Sequence, residues 1–223
     1  CACLVGSEMC IRDRGGRILI MPGVILISGL AERVYTKEGY DIIGVDHGAY
    51  ICALQGVEMK AAIGDFDSVS KTQVIQIQQM AERMEQLPSH KDETDTEEAV
   101  LYALAHGYDD IWVYGALGGR LDHELANLYL LMHRNYPITL VNEQNRIRVI
   151  KEGTYKVPKE YTYLSFLALE DSQITEIGVA YPLTKRCLST RDIYAISNEI
   201  LNEHAEIIVH KGSFLMIESS DKI

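Results

Sequence analysis

Short, wholly apolar runs that stop at a small or acidic residue recur through the first two-thirds of this chain. Val24-Ile25-Leu26-Ile27 stops at Ser28-Gly29, Ile42-Ile43-Gly44-Val45 at Asp46, and Ala61-Ala62-Ile63 at Gly64-Asp65. Ile111-Trp112-Val113-Tyr114 and the run 138–141 continue the series. A strand that is apolar at every position must be covered on both faces, the condition of a parallel sheet between helices. The stretches between supply those helices. Residues 70–87 carry Val74, Ile77, Met80, Met84 and Leu87 at helical spacing, 94–106 opens on Thr94 with Glu97 and stops at Gly107, and 121–135 forms a third. The expected fold class is therefore α/β, with ligands held beyond the carboxyl ends of the strands.

Beyond about Asn142 the pattern changes. Strand candidates at 146–150, 154–157, 163–169, 174–179, 205–210 and 214–218 are separated by turn residues, and long helices are nearly absent. That spacing predicts a C-terminal β-sandwich domain at 143–223 after an N-terminal parallel-sheet α/β domain at 21–142. Residues 1–20 carry no clear fold signal and are expected to be a non-native or unstructured leader, the natural chain starting near Met21. Arg12, Arg14 and Arg17 before the apolar stretch 18–30 superficially imitate a secretory signal, but Pro22-Gly23 interrupts it. The stretch is also too short to span a bilayer.

The formal charge of −11 argues against a nucleic-acid binder, whose affinity rests on a basic face, while leaving room for a small anion carried with its own cation. Five cysteines, Cys1, Cys3, Cys10, Cys52 and Cys187, show no metal-site spacing and read as reduced thiols of a cytoplasmic protein.

The chemistry gathers at three strings. In Gly64-Asp65-Phe66-Asp67-Ser68, two carboxylates two residues apart leave a strand pointing the same way, as grips on Mg²⁺ would. An isolated D-x-D in a loop is more often a turn that caps its own backbone, and Ser68 could equally cap the next helix. In Lys91-Asp92-Glu93-Thr94-Asp95, Asp95 is either a third ligand or plain helix-dipole complementation, with Lys91 available to a phosphate. Gly118-Gly119-Arg120-Leu121-Asp122-His123 follows a strand and opens a helix, which suits close backbone approach to phosphate, with Arg120 adding a bidentate charge. The double glycine could be only a tight turn, and no Walker A loop is present. Ser197-Asn198-Glu199 is, on local signal alone, strand-end polarity.

In this order, and with Asp46-His47-Gly48-Ala49 and Asn127, these strings resemble the thiamine pyrophosphokinase (thiamin diphosphokinase) family from Val24 to near the C-terminus. The resemblance implies transfer of the β,γ-diphosphate of ATP to the hydroxyl of thiamine, giving thiamine diphosphate and AMP. It implies Mg²⁺ on Asp65, Asp67 and Asp95, and ATP held by Asp46, Gly48, Lys91, Thr94, Gly118, Gly119, Arg120 and His123. Asp122 would organise nucleotide and acceptor, with Ser197 and Asn198 near thiamine. Asp65, Asp67, Asp95, Arg120 and Asp122 form the implied catalytic set. A homodimer with active sites at the interface is implied as well. His47 stands where the family more often has Arg, and Ser28-Gly29-Leu30 where a glycine pair is common. Two rival readings are a diphosphokinase acting on a hydroxymethylpterin and a non-catalytic nucleotide- or thiamine-binding protein.

Overall fold

In a computed structural model of the protein, which describes residues 10–12, 18–20, 23–87 and 93–221, the apolar runs become the inner strands of a parallel sheet. A short antiparallel ribbon of β1 (Cys10–Arg12) and β2 (Ile18–Ile20) comes first. Then follow β3 (Gly23–Ile27), β4 (Tyr40–Val45), α1 (His47–Leu54), β5 (Ala61–Gly64), α2 (Lys71–Met80), β6 (Met84–Gln86), α3 (Asp95–Ala105), β7 (Ile111–Tyr114) and α4 (Leu121–His133). Packing divides the chain into two compact units, the break falling between Asn127 and Leu128, within α4.

The strands of the first unit lie in the order β7-β3-β4-β5-β6, every pair parallel. Val24, Ile25, Leu26 and Ile27 of β3 are completely buried, which explains why no position of that strand is polar. From β3 the chain steps outward to β4, β5 and β6, then returns to place β7 on the other side of β3. The carboxyl end of β3 is thus a topological switch point, where neighbouring connections diverge and leave a crevice. Two glycines keep it open. A Cβ on Gly48 would stand 2.0 Å from the Ile27 carbonyl oxygen, so α1 can start against the end of β3 only with glycine there. Gly115, at φ +80, brings the chain leaving β7 to where an added Cβ would meet the Ala31 nitrogen at 2.5 Å.

The helix expected over 70–87 ends early. α2 stops at Met80, and Met84–Gln86 pairs in parallel with β5. Arg83 and Leu87 exchange main-chain bonds with Ala62 and Gly64, both 2.9 Å, so the open sheet edge wins over the helical spacing of Met84 and Leu87. The cap of α2 is Ser70, whose hydroxyl accepts from the Gln73 N–H in a reciprocal capping box, and not Ser68. Thr94 caps α3 through the Glu97 N–H, as its spacing predicts.

The second unit is antiparallel and rich in strands: β8 (Ile138–Val141), β9 (Asn145–Pro158), β10 (Tyr163–Ala168), β11 (Ser172–Ile177), β12 (Leu183–Leu188) and β13 (His204–Ser219). Four of the expected strands merge into two. Segments 146–150 and 154–157 both belong to β9, and 205–210 and 214–218 both belong to β13. The glycines that suggested turns, Gly153 and Gly212, sit instead where the β9–β13 pairing shifts register between Val209 and Ser213. That is a bulge, which bends the ribbon without ending it. Strand β12 lies at an edge with Lys185, Arg186 and Cys187 exposed and lacks the apolar alternation that would reveal it. The core is built on Phe166 and Phe214, packed edge to face at 6.2 Å. Among the described residues no helix is long and apolar enough to cross a membrane.

One buried acid in this unit carries a pH signature. Glu176 is 1% exposed, and burial pushes its carboxyl up from 4.5 to about 7, the hydrogen bond from Asn198 pulling the other way. The folded chain therefore holds a proton there that the unfolded chain has already lost. Its contribution to stability is complete below pH 4.5 and disappears as pH rises through about 7. Melting temperature is expected to fall between pH 5 and pH 8 by the equivalent of up to about 3 kcal/mol. In Glu176→Gln that part of the slope should vanish; an identical slope in the variant would exclude Glu176 as its source.

Candidate active site

Four carboxylates converge at the carboxyl ends of β4 and β5 and the start of α3. Asp46 directly follows β4 in an unusual backbone conformation for a non-glycine residue, φ 49 and ψ −119. It precedes α1, yet its side chain makes no cap to that helix. Its Oδ1 accepts instead from the Phe66 N–H at 3.2 Å, which ties the end of β4 to the Asp65–Asp67 loop. Phe66, also at positive φ, turns its ring inward and is buried, so the flanking Asp65 and Asp67 face outward. Oδ1 of Asp65 accepts from the Asp67 N–H at 3.0 Å. The turn-capping role and the ligand role of this pair thus coexist, since a carboxylate has a second oxygen to give.

Electrostatics mark the cluster. Burial, then a hydrogen bond with Asp95, raise the Asp46 carboxyl well above the carboxylate range. Asp67 is raised as well, first by the charge of Asp65. Among the described residues, the charges that raise these two belong to other carboxylates. A hard divalent cation with oxygen ligands would relieve that repulsion, so the donor set fits Mg²⁺. The approach is pairwise: among the described residues no three His, Cys, Asp or Glu side chains are already gathered as a cage.

Beside the acids lies a cleft of about 430 Å³, lined at the switch point by Ser28, Asp46, Asp95, Gly118, Arg120 and His123, among others. Its volume is in the range of small-molecule sites. Thr94 also lines it. Gly118 and Gly119 both take positive φ, 94° and 74°, so the loop into α4 needs glycine twice. The Gly118 N–H is held by Oε1 of Glu124 at 3.0 Å. Buried Asn127 anchors the same loop by donating to the Ala116 carbonyl at 2.8 Å. Arg120 lies at the rim, paired bidentately with Asp122 at 3.1 and 2.6 Å, and this pair holds the Asp122 carboxyl below its usual range. Both side chains are largely exposed, 74% and 64%, so the pair is a weak tether.

A profile described as the thiamin pyrophosphokinase catalytic domain matches residues 33–141, and one described as its vitamin B1 binding domain matches 144–214. The thiamine pyrophosphokinase of Bacillus subtilis is 32% identical over 84% of this chain and 91% of its own length. The chain belongs to the thiamin pyrophosphokinase family. Solved structures agree. A thiamin pyrophosphokinase family protein from Enterococcus faecalis superposes with a TM-score of 0.80 at 31% identity, covering 90% of this chain and all of its own. The enzyme from Geobacillus thermodenitrificans gives 0.77 at 33%, covering 89% and 97%.

Within the thiamin pyrophosphokinase frame, Asp46, Thr94, Asp95, Gly118, Arg120 and His123 share one cleft, and Asp65 and Asp67 join it through Asp46 and Asp95. Gly48 is a packing residue under β3. Asp122 turns to Arg120 and caps the His123 N–H at 3.0 Å. Lys91 lies outside the described residues. Ser197 and Asn198 fall in the vitamin B1 binding match. Sequence reading placed Ser28 only at a strand end and passed over Gly115 and Glu124; the carboxyl in the first turn after Gly-Gly-Arg was the available signal for Glu124.

Proposed function

We infer that this chain transfers the β,γ-diphosphate of ATP to the hydroxyl of thiamine, releasing AMP, with Mg²⁺ held by Asp65, Asp67 and Asp95. The observation that carries this reading is the acid cluster meeting a double-glycine loop at one switch-point cleft in a chain of this family. When bound, Mg²⁺ would neutralise polyphosphate charge and favour attack at phosphorus. The rest is positioning. Backbone N–H groups at the start of α4 suit a phosphate, and an incoming phosphate competes with Glu124 for the Gly118 N–H. Arg120, released from its exposed pair with Asp122, can swing onto the same charge. The thiamine hydroxyl oxygen bonds to the β-phosphorus as the bond from that phosphorus to the α,β-bridging oxygen breaks. The hydroxyl proton is lost to solvent. Rate then derives from alignment and charge compensation, with no strong base required.

A homodimer completing each site and a cytoplasmic location belong to the same reading. Free thiols at buried Cys52 and exposed Cys187 suit a reducing compartment. Incubation with thiamine, ATP and Mg²⁺ should yield AMP and thiamine diphosphate in equal amounts, and EDTA should abolish both. ADP with thiamine monophosphate would refute the site of attack; thiamine binding without AMP release would refute catalysis.

A further inference from the structure

Asn198 has no hydrogen-bonding capacity left for a ligand. Its Nδ2 donates to Oε2 of Glu176 at 2.8 Å and to the Tyr181 carbonyl at 2.9 Å. Its Oδ1 accepts from the N–H groups of Tyr181 and Glu199, each at 3.0 Å. Its own backbone N–H and C=O are both spent on Leu164, at 3.0 and 2.8 Å. A buried amide so saturated is a clamp, joining β11, the turn at Tyr181 and the turn at 197–199.

What the clamp holds is the neighbouring residue. Ser197 is exposed and sits at φ 57, a conformation costly for a residue with a Cβ. Its N–H is pinned by the hydroxyl of buried Ser165 at 2.9 Å, while its own hydroxyl has no partner among the described residues. Exposed apolar side chains accompany it in sequence, Tyr194 and Ile196, and Tyr181 is held at both its N–H and its C=O by the same amide. A free hydroxyl on a strained, doubly fixed turn, with aromatic and aliphatic surface on the segments the clamp joins, suits a flat heterocycle bearing ring nitrogens.

Glu176 sits behind this arrangement. It is 1% exposed and forms no ion pair among the described residues, a costly way to keep a carboxyl. Its geometric effect is to decide which way the Asn198 amide faces. Its Oε2 accepts from Nδ2, which draws that end of the amide toward it and leaves Oδ1 for the two backbone N–H groups. With an apolar group there, the amide would lose the partner that sets its orientation, and the 197–199 turn its reference.

We propose that Glu176 is a positioning residue for the acceptor: through Asn198 it locks the turn that presents the Ser197 hydroxyl to the heterocycle of thiamine. The proposal rests on the diphosphokinase reading above and adds a residue that touches no substrate. It separates from a merely structural role by which Michaelis constant moves. Glu176→Leu is expected to raise KM for thiamine tenfold or more and leave KM for ATP within twofold. Glu176→Gln, which keeps an acceptor for Nδ2, is expected to stay within about threefold of wild type for both. Should Glu176→Leu fail to fold, Glu176→Asp, with the carboxylate withdrawn by one methylene, is expected to show the same one-sided rise.

An unchanged thiamine KM in a folded Leu or Asp variant overturns the proposal. So does a joint rise in both constants, or a Gln variant as impaired as Leu. If the wild-type protein makes no thiamine diphosphate, the activity reading fails on its own. The same split is then read as dissociation constants for thiamine and ATP by calorimetry.

Discussion

Asp65→Ala and Asp67→Ala are each expected to lower thiamine diphosphate formation by roughly 10²–10³-fold or more, with a melting temperature within a few degrees of the parent. The asymmetry follows from where these side chains stand. Asp67 is exposed and Asp65 half-buried, and neither packs the core. Like charge raises Asp67, so removing either acid relieves repulsion in the folded protein. In the Asp65 variant the turn also loses the hydrogen bond from the Asp67 N–H to Asp65. Turnover would suffer because the reading makes positioned charge the main source of rate, and a cation short of one carboxylate is both weaker bound and less fixed. AMP release and a thermal melt on the same samples decide it. Near-normal turnover in a folded variant removes these acids from the metal site.

Arg146→Met is expected to destabilise the strand-rich unit by about 3–5 kcal/mol. Arg146, the second residue of β9, donates to both oxygens of Glu218 in β13, at 2.7 and 2.5 Å, and to Glu160 at 2.7 Å. Glu218 is 2% exposed, so loss of the guanidinium strands a carboxylate with no access to water. The contact to Glu160, whose side chain is 55% exposed, contributes little. For a chain of this size the loss corresponds to roughly 10 °C in melting temperature. Arg146→Met with Glu218→Leu should recover most of it, because a buried pair replaced by apolar groups leaves nothing unsatisfied. If the single variant melts with the parent, Glu218 has another partner in solution.

The α/β half was legible because burial on both faces writes itself as uninterrupted apolar runs, as in Val24 to Ile27, and because caps such as Thr94 are local chemistry. What escaped was decided by distant partners. Met84 and Leu87 obey a helical period, yet Ala62 and Gly64 offer main-chain bonds that no neighbouring residue advertises. Gly153 and Gly212 look alike whether they end a strand or bulge it, and only the opposing strand distinguishes the two. At the site, the acids and glycines were readable as types and spacings. Asp46 could be placed at a strand end but not against Asp95, since that contact joins β4 to α3. Glu176 gave no signal, because one glutamate in an edge-like segment is indistinguishable from a solvated one until its burial is known.

The bulged ribbon of β9 and β13 also dictates an order of events at the ribosome. Its register joins Asn145 to Ser219 and Pro158 to His204, so its two halves are separated along the chain by the whole of β10, β11 and β12. Strand β13 is the shared neighbour of β9, β10 and β11, and without it these three have no common partner to pair with. The strand-rich unit therefore cannot close until its last strand has emerged, whereas β3, β4, β5 and β7 are already complete. Non-local pairing of this kind is slow. During synthesis the parallel-sheet unit can be folded while the strand-rich unit still exposes unpaired edges, and that interval is when a nascent chain is most open to misassembly with its neighbours.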